Sequence, residues 1–142
     1  MSNPKPLTYL GCPYTGTYDQ RVSRFEAVTR ATAHLIRTRG WTVFSPITHS
    51  HPLEQIGGLR GDWAFWRRQD ENFLWCSNQM IILTLPGWEF SEGIAGEITI
   101  ATKLELPIYL LDEKHYGLQR FYSMLPERDA LVNANDEYPT GN

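Results

Sequence analysis

Two acids stand where a helix should present apolar side chains. Residues 62–77 have helical period with Asp62 as N-cap. At about 100° per residue, Trp63, Trp66, Asp70 and Phe73 share an arc of roughly 80°, with Leu74 and Ser77 beside them. Asp70 therefore lies in the stripe that faces a core. A lone carboxylate there costs several kcal/mol unless it is paired, hydrogen-bonded or kept protonated. Its candidates are a salt bridge to Arg60 or Arg67, or a ligand. Glu97 shows the same conflict in a helix over residues 91–103, where Ile94, Glu97, Ile98 and Ala101 share roughly 100°. Gly93 and Gly96 flank it, although Ala would favour the helix by about 1 kcal/mol at each position. Either something approaches this backbone closely, or the small residues pack against a neighbouring element.

Positioning these acids takes an alternation of strands and helices. Residues 7–12 form an apolar run stopped by Pro13, residues 19–39 have helical period closed by Gly40, and residues 41–45 form a second apolar run ended by Pro46. This is a βαβ unit with a parallel strand pair. Residues 47–61, with Pro52, Gly57, Gly58 and no steady period, read as a loop. Strands follow at 79–85 and 106–111, on either side of the Glu97 helix, and a short helix is expected over 118–124. A polar tail from about residue 127 has too little apolar content to pack by itself. Glu97 then sits near the carboxyl end of the sheet, where open α/β folds place their ligands. The loops after the first two strands open on that rim, bringing Tyr14 and Thr15 from one side and Ser45, His49 and His51 from the other, with Tyr9 on the first strand.

Composition narrows the chemistry further. The chain of 142 residues is 42% hydrophobic, enough for one core and one domain. Its net charge of −3 offers no basic field for a nucleic-acid polymer. The longest apolar run falls well short of the roughly 20 residues that cross a bilayer, so no membrane association is expected. Cys12 and Cys76 lack metal spacing and read as buried small hydrophobes, and with no secretory leader pattern the cytoplasm is the expected compartment. His49 and His51 form an incomplete ligand set, so no metal is expected. No glycine pattern for dinucleotides or for a P-loop is present, and no cofactor is expected.

Four ordered blocks carry a resemblance. They are Tyr9-Leu10 with Pro13-Tyr14; Phe44-Ser45-Pro46 with His49-Ser50-His51-Pro52; Asp62-Trp63-Ala64-Phe65-Trp66 with Asp70; and Leu85-Pro86-Gly87-Trp88 with Ser91, Gly93 and Glu97. In these the chain resembles the nucleoside 2-deoxyribosyltransferase superfamily, and more closely its small bacterial and phage branch. The expected fold is α/β: a single flavodoxin- or Rossmann-like, doubly wound domain with a mainly parallel sheet of four to five strands. The resemblance implies cleavage of the N-glycosidic bond of (deoxy)nucleosides or nucleoside 5′-monophosphates, as a hydrolase or a deoxyribosyltransferase. Glu97 would be the nucleophile that forms a covalent glycosyl-enzyme, Asp70 the acid near the base, and Tyr9 the group that orients Glu97. Tyr14, Ser45, His49, His51, Trp88, Ser91 and Gly93 would contact substrate. Many transferases carry an aspartate six positions before the nucleophile. Here that position is Ser91, which either admits a 5′-phosphate at the helix N-terminus or is an ordinary cap. The alternative is a non-catalytic nucleotide-binding module. A homo-oligomer is expected from the aromatic content and the resemblance, with the tail around Asn133 and Asn135 crossing between subunits.

Overall fold

The alternation builds a five-stranded sheet in the computed structural model, which describes residues 6–122. Strand β1 (Leu7–Gly11) leads into helix α1 (Tyr18–Arg39) and strand β2 (Thr42–Phe44). Thr17 and Gln20 close a capping box on α1, and Gly40 ends it in the left-handed conformation at φ 65°, where a side chain would be strained. Helices α2 (Pro46–Gln55) and α3 (Trp63–Trp75) precede strand β3 (Gln79–Leu83). Helix α4 (Glu92–Lys103) and strands β4 (Ile108–Leu111) and β5 (Leu118–Phe121) complete the described residues. The strand order is β2-β1-β3-β4-β5, parallel except for β5. The chain is thus α/β, with a single mainly parallel sheet consistent with a flavodoxin- or Rossmann-like fold.

Period-two alternation sends the strands' side chains to two cores. Leu10, Ile81, Leu83, Tyr109 and Leu111 meet Ala27, Val28, Ala31 and Leu35 of α1 on one face. Tyr9, Met80, Ile82 and Ile108 meet Leu74 of α3 with Ile94 and Ala101 of α4 on the other. Each fully buried Leu or Ile contributes about 1.5–3 kcal/mol. The strand order reverses between β1 and β3, and the crevice at that switch point, beyond the strands' carboxyl ends, is where the candidate acids stand.

Two element assignments are corrected. The segment expected as a loop over 47–61 begins with α2: Ser45 caps it through Ile47 and Thr48, and Pro46 occupies its first turn. Pro at that position has no hydrogen bond to lose, so Ser-Pro here starts a helix as well as ending a strand. The helix expected over 118–124 is replaced by β5, antiparallel to β4. The intervening turn, in which Asp112 accepts from Tyr116 and His115, is too short for a crossover connection. Cys76 is exposed, not buried, whereas Cys12 is buried. The tail with Asn133 and Asn135 lies outside the described residues. No helix among those residues is long and apolar enough to cross a membrane.

Candidate active site

Asp70 and Glu97 reach one cavity of about 520 Å³ from different helices, a size suited to a small-molecule ligand. Asp70 stands on the α3 face with Trp66 and Leu74, 8% exposed, and makes no hydrogen bond or ion pair through its carboxylate among the described residues. Arg60 is bonded to Asp62 instead, at 2.6 Å. Burial alone raises Asp70 to about 7. Glu97, 4% exposed, accepts a hydrogen bond from the Tyr9 hydroxyl on the central strand. Burial, then the neighbouring Asp70, hold its pKa well above the usual carboxylate range against the pull of the Tyr9 bond. Tyr9 is paired in register with Phe44 and Met80, so the sheet fixes the ring from both sides.

Two glycines make room. A Cβ on Gly11 would come within 3.0 Å of Glu97 Oε1, so the end of β1 is cut back where the carboxylate lies. At Gly96 a Cβ would come within 2.3 Å of the Trp63 indole. The close approach expected at Gly96 is therefore the packing of α3 on α4 through Trp63, not the passage of a ligand. Gly93 has only ordinary contact distances and lines the cavity.

A family model described as a domain of unknown function, DUF1937, matches residues 6–113. The chain belongs to that family. No curated protein matches it. The DUF1937 span runs from just before β1 into the β4–β5 turn, and so holds every cavity residue named here.

Of the residues singled out in the sequence of this DUF1937 chain, Tyr14, Thr15, Asp70, Ser91, Gly93 and Glu97 line the cavity, and Tyr9 supports Glu97 from the sheet. The others are placed elsewhere. Ser45 is consumed as the α2 cap. His49 is exposed and packs on Phe44, Phe73 and Trp66. His51 is buried off the cavity wall, stacked on Phe25 with its Nδ1 2.5 Å from the Tyr14 hydroxyl. Burial, then the charge of Arg21, lowers its pKa. Trp88 lies in a short turn against Phe121. Among the described residues no group of three or more His, Cys, Asp or Glu is arranged to hold a metal.

The cavity residues not singled out for the site beforehand include Arg21 from α1, Glu54 from α2, Glu92 from α4, and Cys12. Glu54 accepts from Trp66 Nε1 at 2.7 Å and from the Tyr14 hydroxyl at 3.4 Å. Burial raises it, opposed by those two bonds and by Arg21. Burial also pushes the Tyr14 phenol up to about 12 and the Cys12 thiol well above its usual value, so neither is poised as a nucleophile.

Proposed function

We propose that this protein cleaves the N-glycosidic bond of (deoxy)nucleosides or their 5′-monophosphates through a covalent Glu97 intermediate. The observation that carries this reading is the pair of buried carboxylates in one cavity with no cation paired to either among the described residues. A structural role for these acids would call for such a pairing. The motif blocks shared with nucleoside 2-deoxyribosyltransferases add to it, on the same residues.

The two acids differ in a way that suits two roles. Burial holds both carboxyls above their usual range, Glu97 well above it, but only Glu97 has a donor that favours its anion, the Tyr9 hydroxyl. Asp70 has none among the described residues and keeps its proton to about pH 7, so the reading gives the pair's charge to Glu97. The Glu97 oxygen attacks the anomeric carbon as the carbon–nitrogen bond breaks, and that electron pair leaves on the base. Asp70 delivers its proton to the departing base, which would otherwise leave slowly. A glycosyl ester on Glu97 results. Water, or the nitrogen of a second base, then attacks the same carbon, gives its proton to the Asp70 carboxylate and frees Glu97.

The test is incubation with a panel of nucleosides and 5′-monophosphates while free base is measured, with mass spectrometry of the protein to detect a sugar adduct at Glu97. Released base together with the adduct is expected. Tight nucleotide binding without release would make the protein a binding module, and neither binding nor release would overturn the reading altogether.

The cytoplasm and a homo-oligomer complete the proposal. Self-association is supported by exposed Ile56, Trp75 and Phe90, which are 89%, 74% and 91% accessible. Light scattering at micromolar concentration should give more than one chain per particle; a fully active monomer would contradict it.

A further inference from the structure

The cavity has a second polar group that the chemistry at Glu97 does not use. Arg21, in the first turns of α1, lines it, and its buried Nε has no hydrogen-bond partner among the described residues. The Arg21 side chain also makes no ion pair among the described residues, whereas Arg60, the other arginine on the wall, is held by Asp62. The Nε is enclosed by the fold, so a ligand acceptor would be met by the terminal N–H groups of the same guanidinium. Beside it stands Glu54, whose Oε2 is taken by the Trp66 indole while Oε1 has only the long contact with Tyr14. A carboxylate oxygen has two acceptor sites, so Oε1 retains capacity for a donor from the cavity.

We propose that Arg21 and Glu54 together read the polar edge of the ligand's nucleobase, Arg21 donating to a ring nitrogen or oxo group and Glu54 accepting from the adjacent amino or ring N–H. This rests on the reading of the cavity as a nucleoside site and specifies which of its walls holds the base. A phosphate fits this wall poorly, because Glu54 stands beside Arg21 and would repel it. A neutral edge with donor and acceptor side by side matches both groups at once. Trp66 and Tyr14 line the same wall and supply flat faces for a ring. The Tyr14 ring is fixed in turn through His51.

The spacing along α3 links this wall to the reaction. Trp66, which holds Glu54, and Asp70 are four residues apart on one buried face, about 6 Å along the helix axis. A base gripped at its edge by Glu54 thus extends toward the acid that protonates it, with its sugar toward Glu97.

The experiment compares each natural base with its analogue lacking exocyclic groups: deoxyadenosine against purine deoxyriboside, and deoxycytidine against the 2-pyrimidinone deoxyriboside. In the wild type kcat/KM for at least one natural nucleoside should exceed that of its stripped analogue by tenfold or more, and Arg21→Ala should collapse that ratio by about 10- to 100-fold. Glu54→Gln keeps an acceptor for Trp66 but turns a donor to the cavity, so preference should move from amino to oxo bases. Equal losses on natural and stripped substrates would give Arg21 and Glu54 a structural role and overturn the inference. So would a loss that follows the 5′-phosphate whatever the base. Calorimetry of adenine against unsubstituted purine, and of cytosine against 2-pyrimidinone, with Glu97→Gln protein reads the same preference without turnover. Edge-dependent binding lost in Arg21→Ala, alongside a wild type that releases no base, would sustain this inference while the catalytic reading fails. Indifference to the edge in both assays overturns the inference alone.

Discussion

At the α4 end of the cavity Glu97 and Asp70 are withheld from water with no cation paired to them among the described residues; at the α1 end Glu54 is held by two donors and has Arg21 nearby. The first end buries its carboxylates and the second half-buries Glu54, yet only the first leaves the cost of desolvation largely unmet. Groups held at such a cost are ready to exchange protons or bonds, whereas groups with partners are ready to recognise shape. On the proposed function, the difference divides the cavity into a reacting end and a reading end.

The largest break in that division comes from Glu97→Gln. The side chain keeps its size and a partner for Tyr9 but cannot form the glycosyl ester, so base release should fall at least about 10³-fold with circular dichroism unchanged. Turnover within tenfold of wild type in a folded variant would end the mechanism. Tyr9→Phe sharpens the same point. Removing the bond that lowers the Glu97 pKa lets it rise further, so the acid limb of the kcat/KM profile should move to higher pH.

Asp70→Asn should slow release by about 10²-fold, most for bases that leave reluctantly, because the proton donor is gone while the shape remains. In the wild type kcat/KM should decline above about pH 7 as Asp70 ionises, and the variant should lose that limb. Stability gives an independent check with a definite sign. The folded pKa is raised from 3.8 to about 7, so the unfolded chain releases this proton first and the wild type loses stability from about pH 4 up to about pH 7. The full shift corresponds to about 4 kcal/mol. The gain in denaturation midpoint of Asp70→Asn over wild type should therefore grow between pH 5 and pH 7 and level off above. A difference independent of pH would mean that Asp70 is not desolvated as described.

The reacting end was legible in the sequence because its residues contradict their surroundings: a carboxylate on an apolar helix face is visible from period alone. The reading end carries no such contradiction. Arg21 and Glu54 lie among other charged residues in helices, where a cavity-facing charge and a solvated one look alike until the helices are packed. Helix α2 itself was hidden, since Pro46 and Pro52 suppress helical expectation although the first occupies a position that suits it. His51 was legible as a polar residue near the rim, but its stacking on Phe25 depends on where α1 crosses α2. The sheet was easier to read. Continuous apolar runs bounded by Gly and Pro give buried parallel strands, while the four-residue edge strand β5 is shorter than its pattern can announce.

A smaller effect tests how the two acid-bearing helices are held together. Gly96→Ala should cost about 1–3 kcal/mol because the new methyl displaces the Trp63 indole. In a Trp63→Ala background the same substitution should become neutral or favourable, since Ala is the better helix former. Additive losses in the double variant, measured by urea denaturation, would show that Trp63 is not what Gly96 accommodates.

The smallest expected effect concerns the sugar's 5′ end, where Ser91 lines the cavity as the N-cap of α4 and accepts from the Ile94 N–H. On the proposed function a 5′-monophosphate places its charge by this helix terminus, where the dipole and unpaired N–H groups favour an anion by about 0.3–1 kcal/mol, opposed by the Glu92 carboxylate in the same turn. That predicts a preference of about two- to fivefold in kcat/KM for the monophosphate over the bare nucleoside. Ser91→Asp leaves the cap intact, because Asp serves there as well as Ser, and so isolates the charge. The order should then invert, with the monophosphate losing to like-charge repulsion while the uncharged nucleoside is comparatively spared. A wild-type preference for the nucleoside that Ser91→Asp does not alter would leave Ser91 as a cap alone, and the reacting end as a site for uncharged sugars.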